Sequence, residues 1–168
     1  EYDNMFVVVV DNGSTDGSGE DLSEEFGWCD FIFNETNEGF AKGSNIGIDH
    51  ALEKGADYVL LINNDITVSS DFLQPLVETG EHHDRVAIVG GLIYGQSEDD
   101  IWHLGGEINS FLADISEDYN ATEKEEFETG FVTCALALLS KEFLQNNKLD
   151  ENYFFGVEEI DLSWRALE

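Results

Sequence analysis

Three acid-bearing segments follow apolar or aromatic runs in this chain: Asp11 after Val7-Val8-Val9-Val10, Asn63-Asn64-Asp65 after Tyr58 to Ile62, and Glu158-Glu159-Ile160-Asp161 after Phe154 and Phe155. A carboxylate accepts hydrogen bonds and donates none. Asp11 could therefore read an N–H edge, such as N3–H of uracil or thymine or the N1–H and amino group of guanine, but not N3 of cytosine. A carboxylate beside amide oxygens, as at Asp65, is a hard-oxygen set suited to Mg2+ or Mn2+ bridging a diphosphate. Such a cation stabilises charge on a leaving phosphate. An acid on the opposite wall could take a proton from an attacking hydroxyl.

Each segment also has a plain structural reading. Asp11 could close an Asx-type turn, Asn63 to Asp65 could be a strand-end turn, and the Glu158 to Asp161 acids could complement a helix dipole. Asn12, Ser14, Asp16 and Gly17 approach the first half of a calcium loop. The register, however, puts Ser23 where the bidentate Glu belongs, and a strand precedes the loop instead of a helix.

The elements that must position these groups follow from apolar periodicity. Residues 6 to 10 form a β-branched run too short for a helix and suited to a strand buried on both faces. An acidic amphipathic helix is expected over residues 18 to 26 and a short strand over 31 to 33. Phe40, Ser44, Ile48 and Leu52 recur at i+4, which predicts a packed helix to about Gly55. Residues 58 to 62 read as a buried strand, and Ser69 or Ser70 as the cap of a helix through Val77. Residues 86 to 89 read as a strand, and the polar stretch 96 to 128 as the least regular part. Residues 131 to 139 read as a strand, 140 to 146 as a short helix, 152 to 156 as an aromatic loop and 158 to 167 as a closing helix. Strands alternate with helices without repeats or linkers, so the class is α/β. Strand ends of an open parallel sheet converge on one edge, which would bring Asp11 and Asp65 to one crevice.

The 168 residues suit one domain with a real core, and 42% hydrophobic content with twelve Phe argues against disorder. There are 37 Asp plus Glu against seven Lys plus Arg, a formal net charge of −30. Such a surface repels nucleic acid and anionic lipid. The acids are scattered, with almost no lysine, a pattern that resembles proteins of salt-accumulating halophiles. The rival is an acidic patch for a basic partner. Cys29 and Cys134 lie next to apolar residues with no CxxC pair, so reduced thiols in a cytoplasmic protein are expected. No apolar run in the sequence approaches a membrane span.

Four segments in order resemble the inverting family 2 glycosyltransferases of GT-A fold, especially the rhamnosyltransferase-like branch. Val7 to Ser18 looks like that family's second strand and nucleotide loop. Asn37-Glu38-Gly39-Phe40-Ala41-Lys42-Gly43-Ser44-Asn45-Ile46-Gly47 looks like its N-x-G-x-x-x-G-x-N-x-G helix entry. Leu60 to Asp65 is similar to its metal-binding DxD region, and Phe154 to Arg165 to its F-x-E-D-x-D-L-x-x-R segment. The resemblance implies a mostly parallel mixed sheet flanked by helices, in a single domain over residues 1–168. The family's first strand and C-terminal continuation would lie outside these residues.

By the same resemblance, Asp11 would hold the base of a UDP-, dTDP- or GDP-linked sugar, and Asn37, Gly39 and Lys42 would line the nucleotide pocket. Asp65 would ligate Mn2+ or Mg2+, with Asn63 at the ribose or the metal shell. Glu159 would be the catalytic base, with Glu158 and Asp161 beside it. The acceptor would be a glycan or lipid-linked hydroxyl, in the cytoplasm or at the inner face of the membrane. The chain departs from the family in two places: DxD is Asn-Asn-Asp, and the base position holds Glu159, one methylene longer than Asp.

Trp102-His103-Leu104-Gly105-Gly106 could sit over the donor, with His103 either a sugar or diphosphate contact or a structural histidine. His50 reads as structural, His82 and His83 as solvated, and Arg165 as a partner of local acids. Phe154 and Phe155 read as core or as an acceptor platform. Two other classes stay open: a nucleotidyltransferase of related fold, and a non-catalytic acidic or calcium-binding interaction domain.

Overall fold

Leu138 and Leu139 are neighbours in sequence yet belong to different hydrophobic cores, because successive strand side chains point to opposite faces. In the computed structural model, which describes residues 2–97, 100–109, 114–117 and 126–168, they lie on β9 (Leu136–Ser140). This strand runs antiparallel between β3 (Tyr58–Ile62) and β4 (Ile88–Gly90), pairing Leu60 with Leu138 and Ile88 with Leu139. The same alternation divides β3, with Val59 and Leu61 on one side and Tyr58 and Leu60 on the other.

The first core lies under α2 (Phe40–Glu53), whose buried Ala41, Asn45, Ile48 and Ala51 fall at the expected helical spacing. Leu162 of α5 (Glu158–Ala166) joins it, as does Leu144 of α4 (Lys141–Leu144). The second core is covered by Leu76 and Val77 of α3 (Leu73–His82). Helices on both faces of a sheet make an α/β layer structure.

Two strands stand apart from this sheet. β1 (Val8–Asp11) pairs in parallel with β2 (Asp30–Phe33), Val9 opposite Phe31, with α1 (Ser18–Glu25) as the crossover. Both lie beside α2, where Gly47 leaves only 3.1 Å between a built Cβ and Val10. Two small antiparallel pairs complete the described strands: β5 (Ile93–Tyr94) with β6 (Ile101–His103), and β7 (Gly106–Asn109) with β8 (Asp114–Glu117).

Several expectations need correction. The pairing is mixed, as expected, but its parallel share is smaller than the strand–helix alternation implies, because β9 runs against both of its neighbours. The strand expected over 131 to 139 begins only at Leu136. Before it, the N–H groups of Thr133 and Cys134 turn to side chains, to His103 Nε2 and Glu159 Oε2 respectively. Neither Ser69 nor Ser70 caps α3, which starts after Phe72 with no side-chain cap. The stretch expected to be least regular carries β6, β7 and β8, and residues 98–99, 110–113 and 118–125 lie outside the described residues.

One polar cluster ties β2 to α2. Asp30 Oδ2 receives Lys54 Nζ at 2.5 Å and His50 Nε2 at 2.8 Å, which makes His50 structural as expected. The Lys54 and then the His50 hydrogen bond hold the Asp30 carboxyl below its usual range. A depressed carboxylate stabilises the fold above its unfolded pKa, about 4, and that stabilisation is lost as pH falls through the folded value. Asp30→Asn is therefore expected to lower the urea midpoint at pH 7 and to match the parent below about pH 3. A deficit that persisted in acid would assign the loss to packing instead of charge.

Candidate active site

The valine strand ends at Asp11, whose carboxylate is used at once: Oδ1 accepts the Ser14 N–H at 2.7 Å. Its other oxygen faces Gly19 of α1, where a built Cβ would lie 1.8 Å from Oδ2. Only a glycine lets α1 approach so closely. Two residues further along the loop, Asp16 accepts the Ser18 hydroxyl at 2.6 Å and its N–H at 3.0 Å. These bonds, the hydroxyl first, hold the Asp16 carboxyl low. The loop is thus an Asx-turn system that starts α1.

Asn12, which the sequence offered only as a position in an imperfect calcium loop, fastens this loop to the start of α2. Its Nδ2 donates to Asn37 Oδ1 at 3.2 Å and to the Gly39 carbonyl at 3.0 Å. Its Oδ1 accepts Asn34 Nδ2 and the Glu38 N–H. Asn37 in turn accepts the Gly39 N–H at 2.9 Å. Gly39 has φ +85°, and a Cβ there would lie 2.7 Å from the Phe154 carbonyl oxygen. That carbonyl accepts the Phe40 N–H at 2.8 Å. The signal available in the sequence was the three amides Asn12, Asn34 and Asn37, whose joint donor and acceptor capacity suits a latch.

The aromatic loop is therefore seated on the first turn of α2. Asn45 holds its base, donating to the Leu149 carbonyl and to Glu151 and accepting the Leu149 N–H at 3.1 Å. Phe155 is 82% exposed, so the core reading fails for its ring, and Phe154 is largely exposed as well. The loop ends at Val157, a β-branched residue at φ +78° that precedes α5. Such a backbone costs on the order of 1–3 kcal/mol and persists only where its surroundings enforce it.

From α5 the connection continues to the end of β3. Glu159 Oε2 accepts the Cys134 N–H at 2.7 Å and the Thr133 hydroxyl at 2.9 Å. The next carbonyl, that of Ala135, accepts the Asn63 N–H at 3.0 Å. Hydrogen bonds and short loops thus join the ends of β1 and β3, the start of α2 and the start of α5. Asp65 lies two residues past Asn63 and is exposed.

The remaining candidates divide. Glu158 is only 4% exposed, and its Oε2 has no hydrogen-bond partner among the described residues. Asp161 is engaged by Arg165, which also bonds the Lys148 carbonyl, as the local-acid reading of Arg165 expects. Lys42 pairs with Glu38, raising the lysine and lowering the glutamate. His103 is buried edge-on against Phe131, and its Nε2 accepts the Thr133 N–H at 3.3 Å. It sits behind the Thr133–Glu159 contact. His83 pairs with Glu126 while staying half exposed.

Burial, with Glu159 and Glu158 nearby, pushes the Cys134 thiol far above its usual range. The native chain is expected to show one thiol reactive to Ellman's reagent, Cys29, with Cys134 labelled only on unfolding. Rapid native labelling of both would show that residues 132–135 open readily.

The chain matches the family described as Glycosyl transferase family 2 over residues 1–147. It is 26% identical over 163 residues to the dTDP-rhamnosyl transferase RfbF of Shigella flexneri, covering 96% of this chain and 53% of that protein. It is 30% identical over 103 residues to the glycosyltransferase GlyG of Streptococcus pneumoniae serotype 4, covering 59% of this chain and 33% of that one. The chain thus spans about half or less of these relatives. Among solved structures, GalNAc-T7 with UDP, GalNAc and Mn2+ superposes at TM-score 0.71 with 17% identity, covering 96% of this chain and 34% of that one. A197 from STIV superposes at 0.54 with 17% identity, covering 97% and 78%. The fold is GT-A, and the chain belongs to glycosyl transferase family 2.

Proposed function

We propose that this domain moves a sugar from a UDP-, dTDP- or GDP-linked donor to a hydroxyl of a glycan or lipid-linked acceptor, with inversion at the anomeric carbon. The observation that carries this reading is the connected path from the Asp11 loop through Gly39 and Phe154 to Glu159, Ala135 and Asn63. It makes one edge of the domain a continuous wall of candidate binding and catalytic groups. Asp11 meets the N–H edge of the base, and Asn37, Gly39 and Lys42 line the nucleotide pocket. Lys42 must divide its charge between Glu38 and the phosphates.

A divalent cation, Mn2+ or Mg2+, is assigned to Asp65 with Asn63 in its shell. Among the described residues, no three His, Cys, Asp or Glu side chains gather as a protein-only cage. One exposed carboxylate beside amide oxygens instead fits a cation that takes most of its ligands from phosphate and water. When bound, the cation supplies neutralisation of diphosphate charge.

Glu159 is assigned as the base. Thr133 and Cys134 hold Oε2, and Oε1 makes no hydrogen bond among the described residues. The acceptor oxygen attacks the anomeric carbon, the nucleoside diphosphate leaves, and the acceptor proton passes to Glu159. Asp161 is occupied by Arg165, and Glu158 is buried behind it in the same first turn. Under this assignment His103 positions Thr133 and does not touch the donor.

The domain is further assigned to the cytoplasm, or the inner face of its membrane, of a salt-adapted cell. Two free cysteines fit a reducing compartment. No helix among the described residues is long and apolar enough to cross a membrane.

Calorimetric titration of UDP, dTDP, GDP and CDP, with and without Mn2+ in multimolar KCl, tests the reading. One non-cytosine diphosphate is expected to bind in a metal-dependent way, and Asp65→Ala to remove that binding. Glu159→Gln is expected to keep binding and to slow transfer by roughly 10²–10⁴-fold. Loss of binding in Glu159→Gln would remove its role as base. Salt adaptation has its own check: the thermal midpoint should climb from about 0.1 M to about 3 M KCl as screening shortens from about 10 Å to 3 Å or less. A flat or falling midpoint would contradict it.

A further inference from the structure

Phe155 has the highest exposure, 82%, of any large apolar side chain among the described residues. Its ring packs on no other aromatic ring there. The backbone on either side is nevertheless fixed. The Phe154 carbonyl accepts the Phe40 N–H, and the Val157 carbonyl accepts the N–H groups of Ile160 and Asp161, each at 3.0 Å. Between these anchors Gly156 and Val157 both hold positive φ, +82° and +78°. A strained, anchored loop that keeps an apolar ring in water points to a surface kept for a ligand. The space beside the ring is open, since a Cβ built on Gly156 meets nothing within 4 Å. Phe154 belongs to the donor side instead, its Cδ2 lying 2.9 Å from a Cβ built on Gly39. Glu159, with no hydrogen bond on Oε1 among the described residues, follows Phe155 by four residues. Four residues reach at most about 14 Å.

The face of an aromatic ring is electron-rich, so it attracts weakly positive C–H groups laid across it. A pyranose presents such a face of C–H groups, with hydroxyls around its rim. Charge then decides among acceptors. The lysines and the arginine of α2, α5 and residues 145–157 are all committed, Lys42 to Glu38, Lys148 to Asp49 and Arg165 to Asp161. Asp150, Glu151 and Glu159 bracket the ring in sequence. A uronic acid or a phosphate placed there would meet carboxylates without a free cation from these elements to offset them. We propose that Phe155 is the acceptor platform: an uncharged pyranose lays its C–H face on the ring and directs its attacking hydroxyl to Glu159 Oε1. The acceptor class narrows to the neutral end of a glycan. The part played by Glu159 rests on the proposed function, whereas the stacking surface does not.

Saturation-transfer NMR, in KCl that keeps the chain folded, tests the platform. The probes are the methyl glycosides of glucose, galactose, mannose and rhamnose, methyl glucuronoside, and geranyl phosphate. At least one neutral glycoside is expected to receive saturation at its ring C–H protons, and the glucuronoside and geranyl phosphate to receive none. Phe155→Ala should weaken that binding roughly 3- to 10-fold, with the thermal midpoint unchanged because the ring is exposed. Phe155→Trp, which keeps an aromatic face, should retain it. Equal binding in Phe155→Ala, or no transfer to any neutral glycoside, overturns the platform. Transfer to the glucuronoside that matches the neutral sugars overturns the choice of an uncharged ring. Transfer to geranyl phosphate that disappears in Phe155→Ala would assign the ring to a lipid phosphate and overturn the sugar. UDP titration is read separately: glycoside binding at Phe155 without nucleotide binding keeps the platform and removes the donor site, and nucleotide binding without glycoside binding does the reverse.

Discussion

The Oε2 atom of Glu159 accepts both the Thr133 hydroxyl and the Cys134 N–H, and much of the local architecture follows from that shared acceptor. Charge-assisted hydrogen bonds of this kind are roughly twice as strong as neutral ones. Here they outcompete strand pairing for residues that are apolar enough to continue a sheet. The segment before Leu136 therefore leaves the ladder, the Thr133 N–H turns to His103, and Ser163 bridges to Val132 through its N–H and carbonyl. α5 is bolted at its first turn to the segment that leads into the strand dividing the two cores. A carboxylate so held has one oxygen committed to structure, and the other makes no hydrogen bond among the described residues.

The Asp11 loop and the start of α2 use neutral groups for the same purpose. Asn12 satisfies two donors and two acceptors at once, and an amide with every hydrogen bond satisfied favours one arrangement of the groups around it. Gly39 then brings α2 and the aromatic loop within a distance that no side chain permits. The acidic balance of the chain makes this choice consequential. With seven cationic residues against 37 acids, and Lys42, Lys54, Lys141, Lys148 and Arg165 all in ion pairs, positioning falls to amides and backbone instead of free cations.

Much of this was legible before any coordinates. The four-valine run, the i+4 series from Phe40 and the Tyr58 to Ile62 run each became the expected element within one or two residues, because burial periodicity depends only on local pattern. The family, too, is readable from four ordered motifs. What failed was long-range. Residues 131 to 135 look like strand because they are mostly apolar, and side chains of Glu159, Ser163 and His103, distant in sequence, divert them. The expected serine cap of α3 failed because the helix begins after Phe72, beyond the reach of Ser69 and Ser70. Asn12 was read only as a calcium-loop position because its partners lie more than twenty residues away.

The position of β9 has a consequence for how the chain acquires its structure. β3 and β4 emerge from a ribosome before their shared neighbour, which then pairs Leu60 with Leu138 and Val89 with Leu138 from its two sides. Until then both strands present bare edges with nothing between them. Contacts so distant in sequence fold slowly, and unpaired edges aggregate. The charge of 37 acids against seven cations then does a second duty during synthesis, keeping nascent chains apart while the sheet waits for its centre.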